Sequence, residues 1–186
     1  TTTELNLADF FRLNGISYEA LPIETNDEGK ENLFAGRCDV YTTDASGLSS
    51  TRAAAADPSK WLVLPEIISK EPLGPLVRHG DHQWGDVVRW SLNAMIIAEE
   101  LGVTSENVDA SLSSNVPEVL RLLGVEGSYG EMLELAPDWA YQILKQIGNY
   151  SESYEANVGP DTPLEIARGL NALWTQGGIL YAPPFR

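Results

Sequence analysis

Two places in the sequence pair residue types that could hold a charged small molecule. Thr1, Thr2 and Thr3 precede Glu4 and an apolar stripe, so they stand where a helix begins. The first backbone N–H groups of a helix have no intrahelical partner, and the helix dipole is positive there. Hydroxyls beside free N–H groups make a receptor for a carboxylate. The same threonines can also simply cap the helix. Asp44 closes the segment Cys38 to Thr43, which reads as a strand, and opens the next helix. In an open α/β sheet, ligands bind beyond the carboxyl ends of strands. A carboxylate at that point can hold an ammonium group through a charge-assisted hydrogen bond; its other reading is an N-cap. Taken together, the two places would put an anion receptor and a cation receptor at one sheet edge. That is the polarity of a zwitterionic amino-acid backbone.

Catalytic signatures are missing from the sequence. It contains no G-x-S-x-G, no G-x-G-x-x-G and no Walker P-loop, so hydrolase, dehydrogenase and kinase readings lack their residues. His79 and His82 flank Gly80-Asp81, a turn signal, with no acidic pair at ligand spacing around them. Cys38 is the single cysteine, which rules out CxxC and Cys/His zinc spacing. Placed in a strand, it reads as buried and inert. Trp139, Tyr150, Tyr154 and Trp174 fall at core-like helical spacing and read as packing. No catalytic residue, metal or cofactor is implied.

The chain has 186 residues, 43% of them hydrophobic, which is enough apolar material for a core. Lys and Arg total 12 against 27 Asp and Glu, a formal net charge of -15, and the basic residues are scattered. A polyanion surface would repel such a protein, which discounts nucleic acid and anionic membranes as partners. No run approaches the ~20 apolar residues of a membrane span. The sequence opens without Met, a basic segment or an apolar segment, which predicts no signal peptide within it and leaves the compartment open, since a mature or trimmed chain looks the same.

The elements alternate through the first third. Glu4 to Asn14 reads as a helix, Tyr18 to Ile23 as a strand, and Glu28 to Ala35 as a helix stopped by Gly36. Cys38 to Thr43 is a strand, Asp44 caps a helix running through Ala53 to Ala56, and Trp61 to Leu64 is a buried strand. This alternation predicts a parallel sheet covered by helices. Its edge needs a partner, so the piece reads as incomplete by itself. Glu66 to Arg78 is extended and broken by Pro72, Gly74 and Pro75, which favours a crossover over a central strand. After Asp81 the pattern turns helical: Gln83 to Leu101 ended by Gly102, then Ser105 to Leu112, Pro117 to Leu123, Asp138 to Ile147 and Pro163 to Leu173. Tyr181 to Arg186 reads as an extended tail.

Several segments resemble one family. Thr1-Thr2-Thr3-Glu4-Leu5-Asn6-Leu7-Ala8-Asp9 resembles the G-[ST]-T-x-E turn and helix that open the second lobe of polar amino-acid receptors. Gly36 to Asp44 resembles the G-x-x-D-x-x-x-x-D strand of that lobe, and Leu64 to Pro75 resembles its return crossover. Ala167 to Trp174, Gly177-Gly178 and Tyr181-Ala182-Pro183-Pro184 are similar to the C-terminus of the general L-amino-acid-binding subgroup.

The resemblance implies an α/β, type II periplasmic-binding-protein-like fold: one α/β lobe plus the helical C-terminal portion of the other. Residues 1–72 would be the α/β ligand-binding lobe two with its return crossover, and residues 73–186 the mostly helical part of lobe one. It implies a periplasmic, non-enzymatic receptor of an amino-acid ABC importer. Its partners would be an L-amino acid and a membrane permease. The family's α-carboxylate contacts fall on Thr1 and Thr2, and its α-ammonium contact on Asp44. The family carries an N-terminal stretch ahead of this sequence, with a Gly before the threonines, an Arg for the ligand carboxylate and a cysteine that could pair with Cys38. The resemblance therefore predicts association with that missing N-terminal fragment or with a second copy of the chain. An enzyme on the same fold, such as a small-acid dehydratase, and an amino-acid sensor module are the alternative readings.

Overall fold

The structure is a computed structural model that describes residues 2–70 and 72–186. The chain divides into two compact units: Thr1–Leu73 with Pro163–Ile166, and Gly74–Thr162 with Ala167–Arg186.

The first unit is built on three helices, α1 (Thr2–Leu13), α2 (Asn26–Phe34) and α3 (Ala45–Ala53), with a 3-10 turn at Pro58–Lys60. Local capping explains where α2 and α3 begin. Thr25 accepts from the Glu28 amide at 3.2 Å, while the Glu28 carboxylate accepts from the Glu24 amide at 3.0 Å. Asp44 does the same service for α3 through the Gly47 amide. The packing of this unit is thin. Among the described residues, every buried hydrophobic side chain lies at Ala94 or later. In its place stand aromatic pairs, Phe11 edge-on to Tyr18 at 4.7 Å and Phe34 against Trp61 at 5.1 Å.

The three strands predicted here do not form. Tyr18–Ile23, Cys38–Thr43 and Trp61–Leu64 run without regular secondary structure, and Cys38 is half-buried and free. Among the described residues the only β-bridge outside helices joins Leu173 to Leu180. The reason is physical. Alternating and β-branched residues make a segment extended, but a strand exists only when another segment supplies its ladder. Without that partner the apolar residues of these segments face outward: Val40, Leu62 and Leu64 are all exposed.

The second unit holds the core. Helix α4 (His82–Glu100) starts at Asp81, whose carboxylate accepts from the Trp84 amide at 3.1 Å. It stops at Gly102, which adopts the left-handed φ of 69° that closes a helix. The shorter helices α5 (Val108–Ser111), α6 (Pro117–Leu122), α7 (Trp139–Ile147) and α8 (Tyr150–Asn157) follow. Helix α4 packs against α6, α7 and α8. Ala94, Ile97 and Ala98 of α4 meet Leu122 of α6 and Leu144 of α7 in one apolar cluster. Each fully buried leucine of this kind contributes about 2 kcal/mol. The tail is part of that core: Phe185 is buried against Trp90 at 5.3 Å, Tyr129 at 5.6 Å and Trp139 at 6.1 Å. Among the described residues no helix is long and apolar enough to cross a membrane.

Further departures from the sequence reading have local causes. The helix predicted over Ser105 to Leu112 shrinks to α5, because Asn107 accepts from the Thr104 amide and donates to the Gly102 carbonyl, forming a turn instead. The helix predicted over Pro163 to Leu173 is replaced by irregular chain and a 3-10 turn at Gly169–Asn171. Glu165 takes a left-handed φ of 52°, which no helix accommodates, and its segment packs with the first unit. Helix α8 carries Tyr150 and Tyr154, which the sequence places at helical spacing without giving the helix bounds. Trp174 lies on a 3-10 turn and is half exposed, edge-on to Tyr181 at 5.7 Å, so it covers the core rather than filling it.

Candidate functional site

Asp44 stands at the centre of a built polar turn. Its backbone is extended at φ -61° and ψ 151°, directly before α3. Oδ2 accepts from Ser46 Oγ at 2.7 Å and from the Gly47 amide at 2.9 Å. Oδ1 accepts from Thr43 Oγ1 at 3.2 Å. The Ser46 hydroxyl and then the Gly47 amide hold the carboxyl below its ordinary range, against a smaller opposing effect of burial. Asp44 is therefore an anion at neutral pH. A carboxylate offers about four lone-pair positions, and Asp44 is half-buried rather than enclosed. Asp44 thus acts as the N-cap and keeps its charge at a partly exposed place.

The segment before Asp44 is held from the side. Tyr41 donates its hydroxyl to Asn26 Oδ1 at 3.2 Å, at the start of α2. Its ring lies so close to α2 that a Cβ on Gly29 would come within 2.6 Å of both Tyr41 Cε2 and Ile23 Cδ1. Glycine at that position lets α2 approach. Burial raises the Tyr41 hydroxyl above its ordinary pKa, so it stays a neutral donor.

The other predicted contacts lie at α1. Thr1 is outside the described residues. Thr2 is the first residue of α1 and is exposed, with Glu4 in the same turn. Thr2 and Asp44 thus each stand at a helix N-terminus within the same unit. The expected sheet edge is not present among the described residues, because no ladder forms there. The hydrogen bonds on the Asp44 carboxylate all come from its own turn. Sequence reading missed Thr43 and Ser46, which hold that carboxylate. The signal was available in Thr43-Asp44-Ala45-Ser46, since hydroxyl residues beside an N-cap Asp commonly bond to it.

No protein-family model matches this chain. Curated proteins match over its whole length. The chain is 54% identical to the glutamate/glutamine/aspartate/asparagine-binding protein BztA of Rhodobacter capsulatus, over 187 aligned residues that take in all of this chain and 55% of that protein. It is 53% identical to the general L-amino acid-binding periplasmic protein AapJ of Rhizobium johnstonii, again over all of this chain and 55% of the relative. The whole of this chain is thus similar to part of proteins named as amino-acid-binding components of ABC transporters. A putative amino-acid ABC transporter-binding protein of Escherichia coli, YhdW, matches at 51% with the same shares. Among solved structures, an ABC transporter periplasmic binding protein from Brucella ovis with glutathione bound is 49% identical. It superposes with a TM-score of 0.94, over 100% of this chain and 59% of that one. The periplasmic-binding-protein fold implied by the sequence is the fold this chain adopts over the portion it spans. The chain spans about half the length of the curated relatives it matches.

Proposed function

We propose that this chain forms part of the periplasmic receptor of an amino-acid ABC importer, and that it grips the ligand backbone rather than transforming it. Asp44 takes the α-ammonium group on its carboxylate, and the threonine turn at Thr1 and Thr2 takes the α-carboxylate on its hydroxyls at the N-terminal end of α1. Residues 1–72 serve as the ligand-binding lobe two with its return crossover, and residues 73–186 as the C-terminal, mostly helical part of lobe one. The remaining length of the relatives supplies the strands against which the extended segments of the first unit pair. The loaded receptor delivers its amino acid to a membrane permease.

One observation carries this reading: an identity above 50%, across the whole chain, to proteins named as amino-acid-binding components of ABC transporters. The Asp44 turn supports it, since a carboxylate held anionic by its own hydroxyl and amide donors is ready to meet a cation without first reorganising. The relatives' names favour a receptor over a dehydratase or a sensor on the same fold.

The test is calorimetry on a receptor of the relatives' length that carries this sequence, titrated with L-glutamate, L-glutamine and L-leucine. One-to-one binding is expected without turnover. Asp44→Asn should weaken it at least about tenfold, the loss of a charge-assisted bond. Equal affinity in the variant would overturn the Asp44 assignment, and chemical conversion of the ligand would overturn the receptor reading.

A further inference from the structure

Helix α3 carries Asp44 at its start and Arg52 in its last turn. The helix buries Ser49 and Thr51 and no large apolar side chain. Hydrophobic packing therefore does little to fix its direction. A long-range polar anchor does more. Arg52 Nη2 donates to Glu165 Oε2 at 2.6 Å and meets the Leu164 carbonyl at 3.5 Å, although Glu165 lies 113 positions away in sequence.

The commitment lies on the Arg52 side: its side chain is only 22% exposed against 60% for Glu165, and its Nε–H is buried with no acceptor among the described residues. A guanidinium withdrawn from water in this way depends on its carboxylate, because removing one partner of such a pair leaves an uncompensated charge. Glu165 holds a left-handed backbone at φ 52°, which a non-glycine residue keeps only when its surroundings compensate. Pro163–Ile166 groups with the first unit, while the residues on both sides of it group with the second. These four residues are a strap laid onto α3 and fastened by one ion pair.

We infer that Arg52 and Glu165 are positioning residues for Asp44: the strap fixes α3, and α3 aims the carboxylate at its N-terminus. This rests on the proposed receptor function, in which Asp44 holds the ligand ammonium. Neither Arg52 nor Glu165 touches the ligand; they act through the helix.

Arg52→Gln, Glu165→Gln and the exchanged pair Arg52→Glu with Glu165→Arg test this in the receptor carrying the chain. Hydrogen exchange follows the amides of Leu164, Glu165 and Ile166, and calorimetry follows the same three L-amino acids. Each single variant should exchange faster at the strap and bind about three- to tenfold more weakly, as expected when a residue acts through an intervening element. The exchange in helices α4 and α7 should stay as it is, and the exchanged pair should recover both strap protection and affinity. Faster strap exchange with unchanged affinity overturns the inference. So does weakened affinity that the exchanged pair fails to recover, and that comparison also decides the matter if a single variant does not fold. Unchanged affinity in Asp44→Asn overturns the receptor site itself, and the inference with it. Weak binding in Asp44→Asn beside full binding in Arg52→Gln overturns the inference alone.

Discussion

Arg168 grips Glu99 with one nitrogen: Nη2 lies 3.0 Å from Oε1 and 3.1 Å from Oε2, with the two side chains 16% and 9% exposed. The guanidinium also lies 5.3 Å from the Tyr150 ring centre and 5.2 Å from that of Tyr154, and it donates to the Asn171 carbonyl. It thereby ties α4, α8 and the turn after residue 168 into one unit. Arg168→Ala leaves the Glu99 carboxylate nearly buried and unpaired, so it should cost about 3 kcal/mol of stability. Replacing Glu99 as well, by Gln, should restore part of that loss. Chemical denaturation of the two variants and of their combination provides the measurement.

Helix starts were the most legible part of this fold, because their causes are local. Asp44 reads as a cap in the sequence and Asp81 as the turn after which the chain becomes helical, and both accept amide protons three residues on. Asn149 was missed for an instructive reason. Ile147-Gly148 reads as the stop of α7, which hides the fact that Asn149 and Glu152 form a capping box for the next helix. The three strands were over-read. Their extended tendency is local, but the ladder depends on segments distant in the chain, and none is present among the described residues. Pro163 to Leu173 failed in the opposite sense: its helical spacing is overridden by the strap that Arg52 holds.

The Asn149 capping box predicts a second stability effect. Glu152 accepts from the Asn149 amide at 2.8 Å, from Ser105 Oγ at 2.6 Å and from the Ser105 amide at 3.1 Å. Asn149 is buried and donates to the Val103 carbonyl at 2.9 Å. Burial pushes the Glu152 carboxyl up, but the donors from Ser105 and Asn149 outweigh it and hold it below its ordinary range. Asn149→Ala removes a cap and leaves a buried carbonyl without its donor, for a loss of about 2 kcal/mol. Thermal melting should show the drop. Ser105→Ala should cost less, since the Ser105 amide remains.

Asp44 gives the pH prediction, and with it the measure of how far the site could be read. The sequence placed Asp44 correctly at the helix start, but not the hydroxyls that hold it, because a side-chain oxygen at Ser46 is only one of several rotamers until the turn is built. Those donors lower its folded pKa below the ordinary 3.8. The unfolded state therefore binds the proton more tightly, so the carboxylate contributes stability above pH 3.8, and that contribution is lost as pH falls through the lower folded value. Asp44→Asn should flatten this part of the acid-stability curve, and Ser46→Ala should flatten it partly. A curve unchanged by Asp44→Asn would count against the structural picture of the turn.

The last prediction concerns the surface of the first unit. Val40 is 66% exposed, and Leu62 and Ile67 are each 79% exposed, on extended segments with no ladder partner. Unpaired extended backbone is a template for pairing with another chain, and each Å² of bare apolar surface costs ~25 cal/mol to keep in water. Large exposed apolar surfaces usually become interfaces. The 186-residue chain by itself should therefore associate, giving a mass above the monomer in light scattering. Adding the segment that the relatives carry beyond the matched region should convert it to a one-to-one complex, with new protection from hydrogen exchange at Tyr18–Ile23, Cys38–Thr43 and Trp61–Leu64. Protection in those three segments is the deciding signal, because simple aggregation through the apolar side chains would change the mass without building a ladder. A sharp monomer that melts cooperatively, and stays unchanged when the segment is added, would mean that the first unit closes on itself and needs no partner strands.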